Sequence, residues 1–479
     1  MLVFAAVFCT IVIGNHYYFR TTAYDYAVYN FAFWDYSHFH ISSVSLYKVC
    51  NADKTFLQDH FSLTLMYFVP VYWLIGWLTG TYTLLLILVA FILWSAWAIY
   101  KLLLLKTGDG WLGVFAVLYY FLLQGRYSAF SSDANILTIV SCFVPLFLYY
   151  FEAKKYVFAF IIFVLSLFSR EDMPLWFVFV FIVLAIWHWR ERKIIAYCIV
   201  GIFVSVLYFI LLFKVFIPIT ETPQNRYVLF QYAALGKTPG AALLHILSHP
   251  IETFKLLYIN QSGDPTFNGV KGEFYWVYLI SGGFILFFRP RYFIWFIPLV
   301  FQKMFNDDFI RWGIYGYYAI AVVTMLPVSV FLILAQLKIR WIKYSISVVI
   351  CSLTFFVTRY KMDVGHRAVP WGTTTKENIF DARFFNPPYN TAEIYNRLKL
   401  IPEDAKVCAS ASLLPHLSQR KYSYEFPDVE DADYIAVFTF QDYYASTQHD
   451  YTRILNKYIT NSSWKIIANV PPFILLKKN

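Results

Sequence analysis

The sequence predicts an all-α polytopic membrane protein of about eleven transmembrane helices, followed by a small C-terminal extracytoplasmic α/β domain. Three observations lead to this fold class. Of the 479 residues, 59% are hydrophobic and 14% are charged, whereas soluble domains carry roughly 25% charged residues. Apolar runs close to the roughly 20 residues that cross a bilayer recur up to Thr358. After that residue the chain becomes polar.

The candidate spans are separated by short polar connections. They are 1–19, 81–105, 111–124, 135–151, 156–169, 173–189, 194–217, 273–288, 291–305, 313–337 and 341–358. The first is interpreted as an uncleaved anchor, because it lacks a basic start and a small-residue cleavage site. Together they form a transmembrane domain over 1–358, with the α/β domain at 359–479.

The connections alternate in charge. One set is brief and basic, which places it in the cytoplasm by the positive-inside rule: Lys101 and Lys106, Lys154–Lys155, Arg190–Lys193, Arg289–Arg291 and Lys338–Lys343. The other set carries the acids Asp25, Asp35, Asp53, Asp59, Asp133, Glu171, Asp172, Asp264, Glu273, Asp307 and Asp308. We therefore expect a multi-pass plasma-membrane protein with a cytoplasmic N-terminus and all these acids outside. The net charge of +10 reflects this topology and argues against nucleic-acid binding.

Two long connections are predicted outside. The first, 20–80, includes the run Phe61–Leu78 with Pro70, which we interpret as interfacial helices rather than a twelfth span. A crossing there would put the uncharged N-terminus outside. The second, 218–272, contains amphipathic patterns at Ala241–Ser248 and Pro250–Ile259, which either lie on the outer membrane surface or cap the bundle.

The α/β domain is predicted from alternating helix and strand patterns. The helices are Asn390–Leu400 and Thr447–Thr460, and the strands are Lys406–Ser410, Tyr434–Phe440, Trp464–Val470 and Phe473–Lys478. No nucleotide-binding loop, HExxH or GxSxG motif occurs. The six cysteines lack CxxC spacing, and nothing in the sequence supports a Cys50–Cys408 bridge. The acids make a divalent cation a candidate cofactor that no spacing requires, so no cofactor or metal ligand is firmly predicted.

Asp25 is the first candidate for chemistry. It is the only acid in the stretch Thr21–Trp34, among tyrosines and phenylalanines just after the first apolar run. An acid in such a setting is costly unless it is used or paired. Asp25 is therefore a catalytic base or, alternatively, an ordinary helix-capping carboxylate.

Three further groups are candidates. Asp133 lies near Arg126 in a polar turn, and the two are functional or form a structural pair. Arg170, Glu171 and Asp172 form the turn of the 34-residue hairpin 156–189, which is too short for two full spans. That turn is expected to dip into a protein-lined cavity, where three charges must be paired or functional. His60, beside Asp59, is an oriented imidazole or a surface residue.

Several of these motifs resemble a family of predicted polytopic membrane proteins of unassigned function, placed in the GT-C glycosyltransferase superfamily. They are Tyr24–Trp34, Asp59–Ser62 with Pro70, Arg170–Asp172, Leu413–Ser418 and Ala432–Tyr434. The chain departs from the family at Asn30 and at Tyr317-Tyr318. The resemblance implies an external first loop with a catalytic Asp, a second acid after the third span, and a polyprenyl-phosphate sugar donor. Asp25 and Asp133 fall at those two places.

The leading hypothesis is therefore sugar transfer from a polyprenyl-phosphate lipid at the extracytoplasmic face. Asp25 is expected to take the acceptor proton. Arg170 and Arg126 would hold the phosphate, with Glu171 and Asp172 supporting Arg170. A lipid or small-molecule transporter or flippase is the main alternative, because intramembrane charges also mark substrate pathways. A non-catalytic membrane scaffold is the third.

Overall fold

A computed structural model describes residues 1–46, 54–221, 230–369, 374–440 and 447–479. Helices make up the chain as far as Val364, and all five strands of the sheet lie after it. Cys50 and Asp53, both considered above, lie outside the described residues, so the structure does not address the Cys50–Cys408 bridge. The other five cysteines form no disulfide with one another in the described part of the chain.

The first part of the chain is a bundle of α-helices of very different lengths. They are Leu2–Tyr17, Val28–Ser37, Phe56–Asp59, Thr64–Thr79, Thr83–Thr107, Gly110–Leu122, Gln124–Ser131, Ile136–Ser141, Phe143–Glu152, Tyr156–Leu167, Met173–Trp187, Arg192–Leu211, Ile217–Thr220, Pro239–Ser248, Pro250–Lys255, Val270–Ile280, Ile297–Met304, Phe309–Trp312, Ile320–Leu334 and Arg340–Val364. Two π-helical turns are Ala23–Ala27 and Leu212–Phe216, and four 3-10 segments are Gly80–Tyr82, Pro265–Phe267, Gly283–Phe288 and Pro290–Phe296. Every predicted span contains α-helix.

Within the described ranges, three helical stretches are long and apolar enough to cross a bilayer. They are Thr64–Thr107, Arg192–Thr220 and Arg340–Val364. The other apolar helices have 10–17 residues. At 1.5 Å per residue they reach roughly 15–25 Å, less than the roughly 30 Å hydrocarbon core. The structure thus supports a helical membrane protein, while the count of about eleven spans stays a prediction.

The run Phe61–Leu78, predicted as interfacial helices, forms a single helix, Thr64–Thr79, with Pro70 inside it. A 3-10 turn at Gly80–Tyr82 joins it to Thr83–Thr107. Gly80 has φ +50°, a conformation that glycine adopts without the steric cost of a Cβ. The 44 residues Thr64–Thr107 are therefore one nearly continuous apolar helical stretch.

The two predicted sets of connections make contacts within each set. In the basic set, Lys106 Nζ lies 2.5 Å from Glu152 Oε2, and Lys343 Nζ lies 3.3 Å from Asp109 Oδ2. In the acidic set, Asp133 accepts hydrogen bonds from Thr22. The side of the membrane on which each set lies stays a prediction.

The C-terminal part contains a five-stranded sheet with helices. The strands are β1 (Val407–Ala409), β2 (Ser423–Glu425), β3 (Tyr434–Phe438), β4 (Trp464–Val470) and β5 (Phe473–Lys478). Their order is β2-β1-β3-β5-β4, with β1 parallel to β2 and β3, and β5 antiparallel to β3 and β4. The helices are Ala382–Phe385, Thr391–Leu398, Leu414–Leu417 and Gln448–Ile459, with a 3-10 turn at Thr374–Lys376.

The four predicted strands and two predicted helices are confirmed to within a few residues. The strand β2 was missed, because it has only three residues and all are buried, which leaves no alternating pattern to read. The preceding helix, Arg340–Val364, continues past the predicted domain boundary at residue 358.

Candidate functional site

Asp25 lies on a π-helical turn, Ala23–Ala27, between two α-helices. The wider π geometry is set by the amide of Ala27, which donates to the carbonyl of Thr22 at 3.2 Å, five residues back. Such single turns are frequent at functional sites. Here the turn follows the extended residue Thr22 and leads directly into helix Val28–Ser37. The partly exposed residue Asp25 is therefore held on ordered backbone.

Asp133 holds the beginning of this turn. Its Oδ2 accepts a hydrogen bond from the amide of Thr22 at 2.9 Å and one from the Thr22 hydroxyl at 2.6 Å. Its buried Oδ1 accepts none from any described residue. Asp133 has φ +49°, a left-handed conformation in which Asp and Asn are enriched. The structure thus brings Asp133 to the Asp25 turn, with an anchoring role visible in its hydrogen bonds.

The surroundings of Asp25 favour its protonated form. Burial, helped by the negative charge of Asp133, raises the pKa of Asp25 to about 7. The charge of His60 and a hydrogen bond from Asn135 act in the opposite direction. A carboxyl whose pKa lies near the working pH is suited to general acid–base catalysis.

The predicted charged turn Arg170–Asp172 takes part in two ion pairs. Arg170 Nε lies 3.2 Å from Asp172 Oδ1, and His60 Nδ1 lies 3.5 Å from Glu171 Oε1. Burial opposes the charged form of Glu171, but His60 and Arg170 lower the pKa of Glu171 to about 2. Burial also disfavours a charged His60, yet Glu171 and Asp59 raise its pKa. His60, 111 residues from Glu171, is therefore a member of this cluster.

A cavity of about 520 Å³ opens beside the charged turn. One end is polar and is lined by His60, Arg170, Glu171, Asp172, Lys303, Arg311 and Tyr318. The walls are apolar and come from six helices, with Leu137, Trp176, Phe179, Phe209, Ala242, Leu243, Ile246, Ile297, Ala321 and Val322 among their residues. Apolar cavities with a few convergent polar groups are typical of ligand sites. The amphipathic helix Pro239–Ser248 forms part of the wall.

Lys303, Arg311 and Tyr318 were not singled out from the sequence as site residues. Tyr318 lines the cavity, and its hydroxyl accepts a hydrogen bond from the Tyr317 hydroxyl at 3.3 Å. The guanidinium carbon of Arg311 lies 5.8 Å from the centre of the Tyr318 ring. The sequence feature that could have identified this group is Arg311 itself, a lone cation between acids and aromatic residues in the segment 306–318.

Arg126 lies elsewhere than the sequence suggested. It is fully buried, and its Nε donates to the carbonyl of Tyr120 at 3.0 Å. Its Nη2 donates to Thr324 Oγ1 at 3.3 Å, and its guanidinium carbon lies 3.5 Å from the Tyr120 ring centre. Arg126 does not line the cavity, and Asp133 bonds Thr22 instead. Both the phosphate-binding role and the Arg126–Asp133 pair are corrected by this geometry.

Among the described residues, no three His, Cys, Asp or Glu side chains form a cluster suited to a metal ion. The candidate site therefore combines the Asp25 carboxyl with the polar end of an apolar cavity, which holds two ion pairs, Lys303 and Arg311. Arg311 Nε in turn lies 3.7 Å from Asp308 Oδ2.

Apolar helices, three of them long enough to span a bilayer, together with a small sheet, define a helical membrane protein with a C-terminal α/β domain. The chain belongs to the predicted membrane protein (DUF2079) family, whose model matches residues 15–473. This confirms the resemblance to a family of predicted membrane proteins over nearly the whole chain. A comparison with curated proteins gives no match.

Proposed function

We propose that the protein is a membrane glycosyltransferase of the GT-C type, which moves a sugar from a polyprenyl-phosphate donor to an acceptor at the extracytoplasmic face. The observation that supports it most is the 520 Å³ cavity, with its polar end and its long apolar walls. His60 lines that end, and its charge acts on the Asp25 carboxyl. In a lipid with a phosphate head and a hydrocarbon tail, the head suits the polar end of the cavity and the tail suits its apolar walls. Burial of the tail against apolar walls contributes roughly 0.8 kcal/mol per CH₂.

In the proposed reaction the acceptor oxygen forms a bond to the anomeric carbon of the sugar. The bond from that carbon to the phosphate oxygen breaks, and the polyprenyl phosphate leaves with the electron pair. Asp25 accepts the proton of the acceptor hydroxyl, a contribution of about 10²–10⁴ in rate. Arg170 and Arg311 stabilise the phosphate charge, because guanidinium groups suit phosphate oxygens.

A carrier of phosphate-bearing lipids is the alternative that the same cavity supports. It requires the cationic end and the apolar walls but no base, so the two functions differ in their need for Asp25. Mass spectrometry of lipid-linked sugars and surface glycans, in cells with and without the protein, separates them. Transferase activity predicts that one sugar disappears from the acceptor while its lipid-linked form accumulates. If cells without the protein instead lack the lipid in one leaflet, and the Asp25→Asn protein restores it fully, the protein is a carrier.

The proposed sidedness has its own test with exposed positions. Single cysteines at Ser262 and Thr452 are expected to react with a membrane-impermeant maleimide on intact cells. Cysteines at Lys155 and Arg192 should react only after permeabilisation. All four positions are exposed, so reactivity reports the compartment and not burial. Labelling of Lys155→Cys on intact cells would overturn the topology.

A further inference from the structure

The motif Leu413–Ser418 of the α/β domain has no part in the chemistry above, yet it lies against the Asp25 turn. Its short helix, Leu414–Leu417, packs on the π-helical turn Ala23–Ala27. The His416 ring stacks on the ring of His16, with centroids 3.9 Å apart and planes 18° from parallel. The two domains therefore meet at the segment that carries Asp25.

His16, which stacks on His416, also contacts residues on both sides of Asp25. It is fully buried, and its Nδ1 lies 2.9 Å from Thr21 Oγ1. Its ring meets the Tyr26 ring edge to face at 5.0 Å. Thr21 precedes the turn and Tyr26 follows Asp25 within it, so any shift of His416 reaches the backbone that flanks the carboxyl.

His416 is itself fixed by the α/β domain. The hydroxyl of Tyr395, on helix Thr391–Leu398, lies 3.1 Å from His416 Nδ1 and 3.3 Å from the hydroxyl of Tyr82. Phe438, the last residue of β3, meets Phe19 at 5.8 Å. Open α/β sheets usually bind ligands beyond the carboxyl ends of their strands. Here the first loop of the same chain packs at that edge.

We propose that His416 is a positioning residue for Asp25, and that the α/β domain docks on the π-helical turn through the His16–His416 stack to limit the access of water to the partly exposed Asp25 carboxyl. The proposal rests on the proposed function where it treats Asp25 as the base. Burial lowers the pKa of His416 to about 3, so its ring is neutral and suited to stacking. Asp133, His60, Asp59 and Asn135, which also act on Asp25, remain in place when His416 is changed.

The carboxyl can be measured without a substrate. Dicyclohexylcarbodiimide reacts with protonated carboxyl groups, and mass spectrometry of the full chain in lipid vesicles reports the labelling of Asp25 between pH 5 and 9. The parent is expected to lose labelling with a midpoint near pH 7. His416→Ala opens the turn to water, so its midpoint should fall by about one pH unit. Tyr395→Phe, which removes one hydroxyl, should give a smaller shift in the same direction.

Two control variants separate docking from general destabilisation. His449→Ala removes an exposed histidine of the same domain. Leu455→Ala weakens a separate core of that domain. Neither should move the midpoint. A parent-like midpoint in both His416→Ala and Tyr395→Phe, or an equal shift in Leu455→Ala, would overturn the proposal. A shifted midpoint in a protein without transferase activity would reject the proposed function and leave the positioning role intact.

Discussion

The polar segments 124–135 and 168–172 both interrupt apolar helices with an arginine and an aspartate, yet their charges lie in different surroundings. Arg126 donates to a carbonyl and a hydroxyl in the core of the bundle. Arg170 pairs with Asp172 and lines the cavity. The same residue types thus stabilise the fold in one segment and form a binding surface in the other.

The difference comes from what each segment faces. Segment 124–135 packs against helices Leu2–Tyr17, Ile320–Leu334 and Arg340–Val364, and Asp133 anchors Thr22. Segment 168–172 stands at the end of a short hairpin with the cavity in front of it. A charged motif in an apolar chain is therefore a candidate site only after its neighbours in space are known.

The largest expected difference in sugar-transfer activity is between the Arg170→Met and Arg126→Met proteins. Methionine keeps much of the volume and removes the charge. Arg170→Met should lower sugar transfer by about 100-fold, because charge-assisted hydrogen bonds to the phosphate are lost. Arg126→Met should keep activity within about threefold but lower the thermal midpoint, because the buried Tyr120 carbonyl and Thr324 hydroxyl lose a hydrogen-bond donor. Glycan mass spectrometry and thermal unfolding measure the two effects, and equal losses of activity would contradict the comparison.

A smaller effect is expected at Asp133, where two substitutions separate anchoring from catalysis. Asp133→Asn keeps an oxygen that accepts from Thr22 and tolerates the left-handed φ, so transfer should fall by about tenfold or less. Asp133→Ala removes the anchor and should cost more, together with a lower thermal midpoint. If the Asn variant loses activity as fully as an Asp25 variant, Asp133 takes part in the chemistry.

The smallest predicted effect is the pH dependence. Transfer requires ionised Asp25, and its pKa is raised to about 7. Because the ionised fraction of Asp25 increases with pH, transfer activity should rise by about tenfold between pH 6 and pH 8, with an inflection near 7. Initial rates in detergent or vesicles measure it. A rate that falls with rising pH over this range would mean that the critical group acts as an acid.

Part of this arrangement follows from local patterns in the sequence. The strands β3, β4 and β5 and the helix Gln448–Ile459 were predicted, because alternating or amphipathic residues specify them locally. The charged turn Arg170–Asp172 was predicted from the short length of its hairpin. Asp25 was found as a lone acid among aromatic residues.

The remainder depends on contacts between distant residues. Glu171 meets His60 across 111 residues, Arg126 meets Thr324 across 198, and His16 meets His416 across 400. No local pattern encodes these pairs. The helix breaks within 111–151 also involve distant contacts, since Asp133 accepts from Thr22 and Asn135 donates to the Tyr29 hydroxyl.

The central claim, that Asp25 is the base of a sugar transfer, is tested most directly by Asp25→Asn. The substitution is nearly isosteric and cannot accept the proton. Glycan transfer should drop by about two orders of magnitude or more, with expression and thermal stability near those of the parent. Asp264→Asn, at an exposed helix-capping Asp, is the matched control and should transfer normally, because Asn caps as well as Asp. Normal transfer by the Asp25→Asn protein would contradict the account and remove Asp25 from the mechanism.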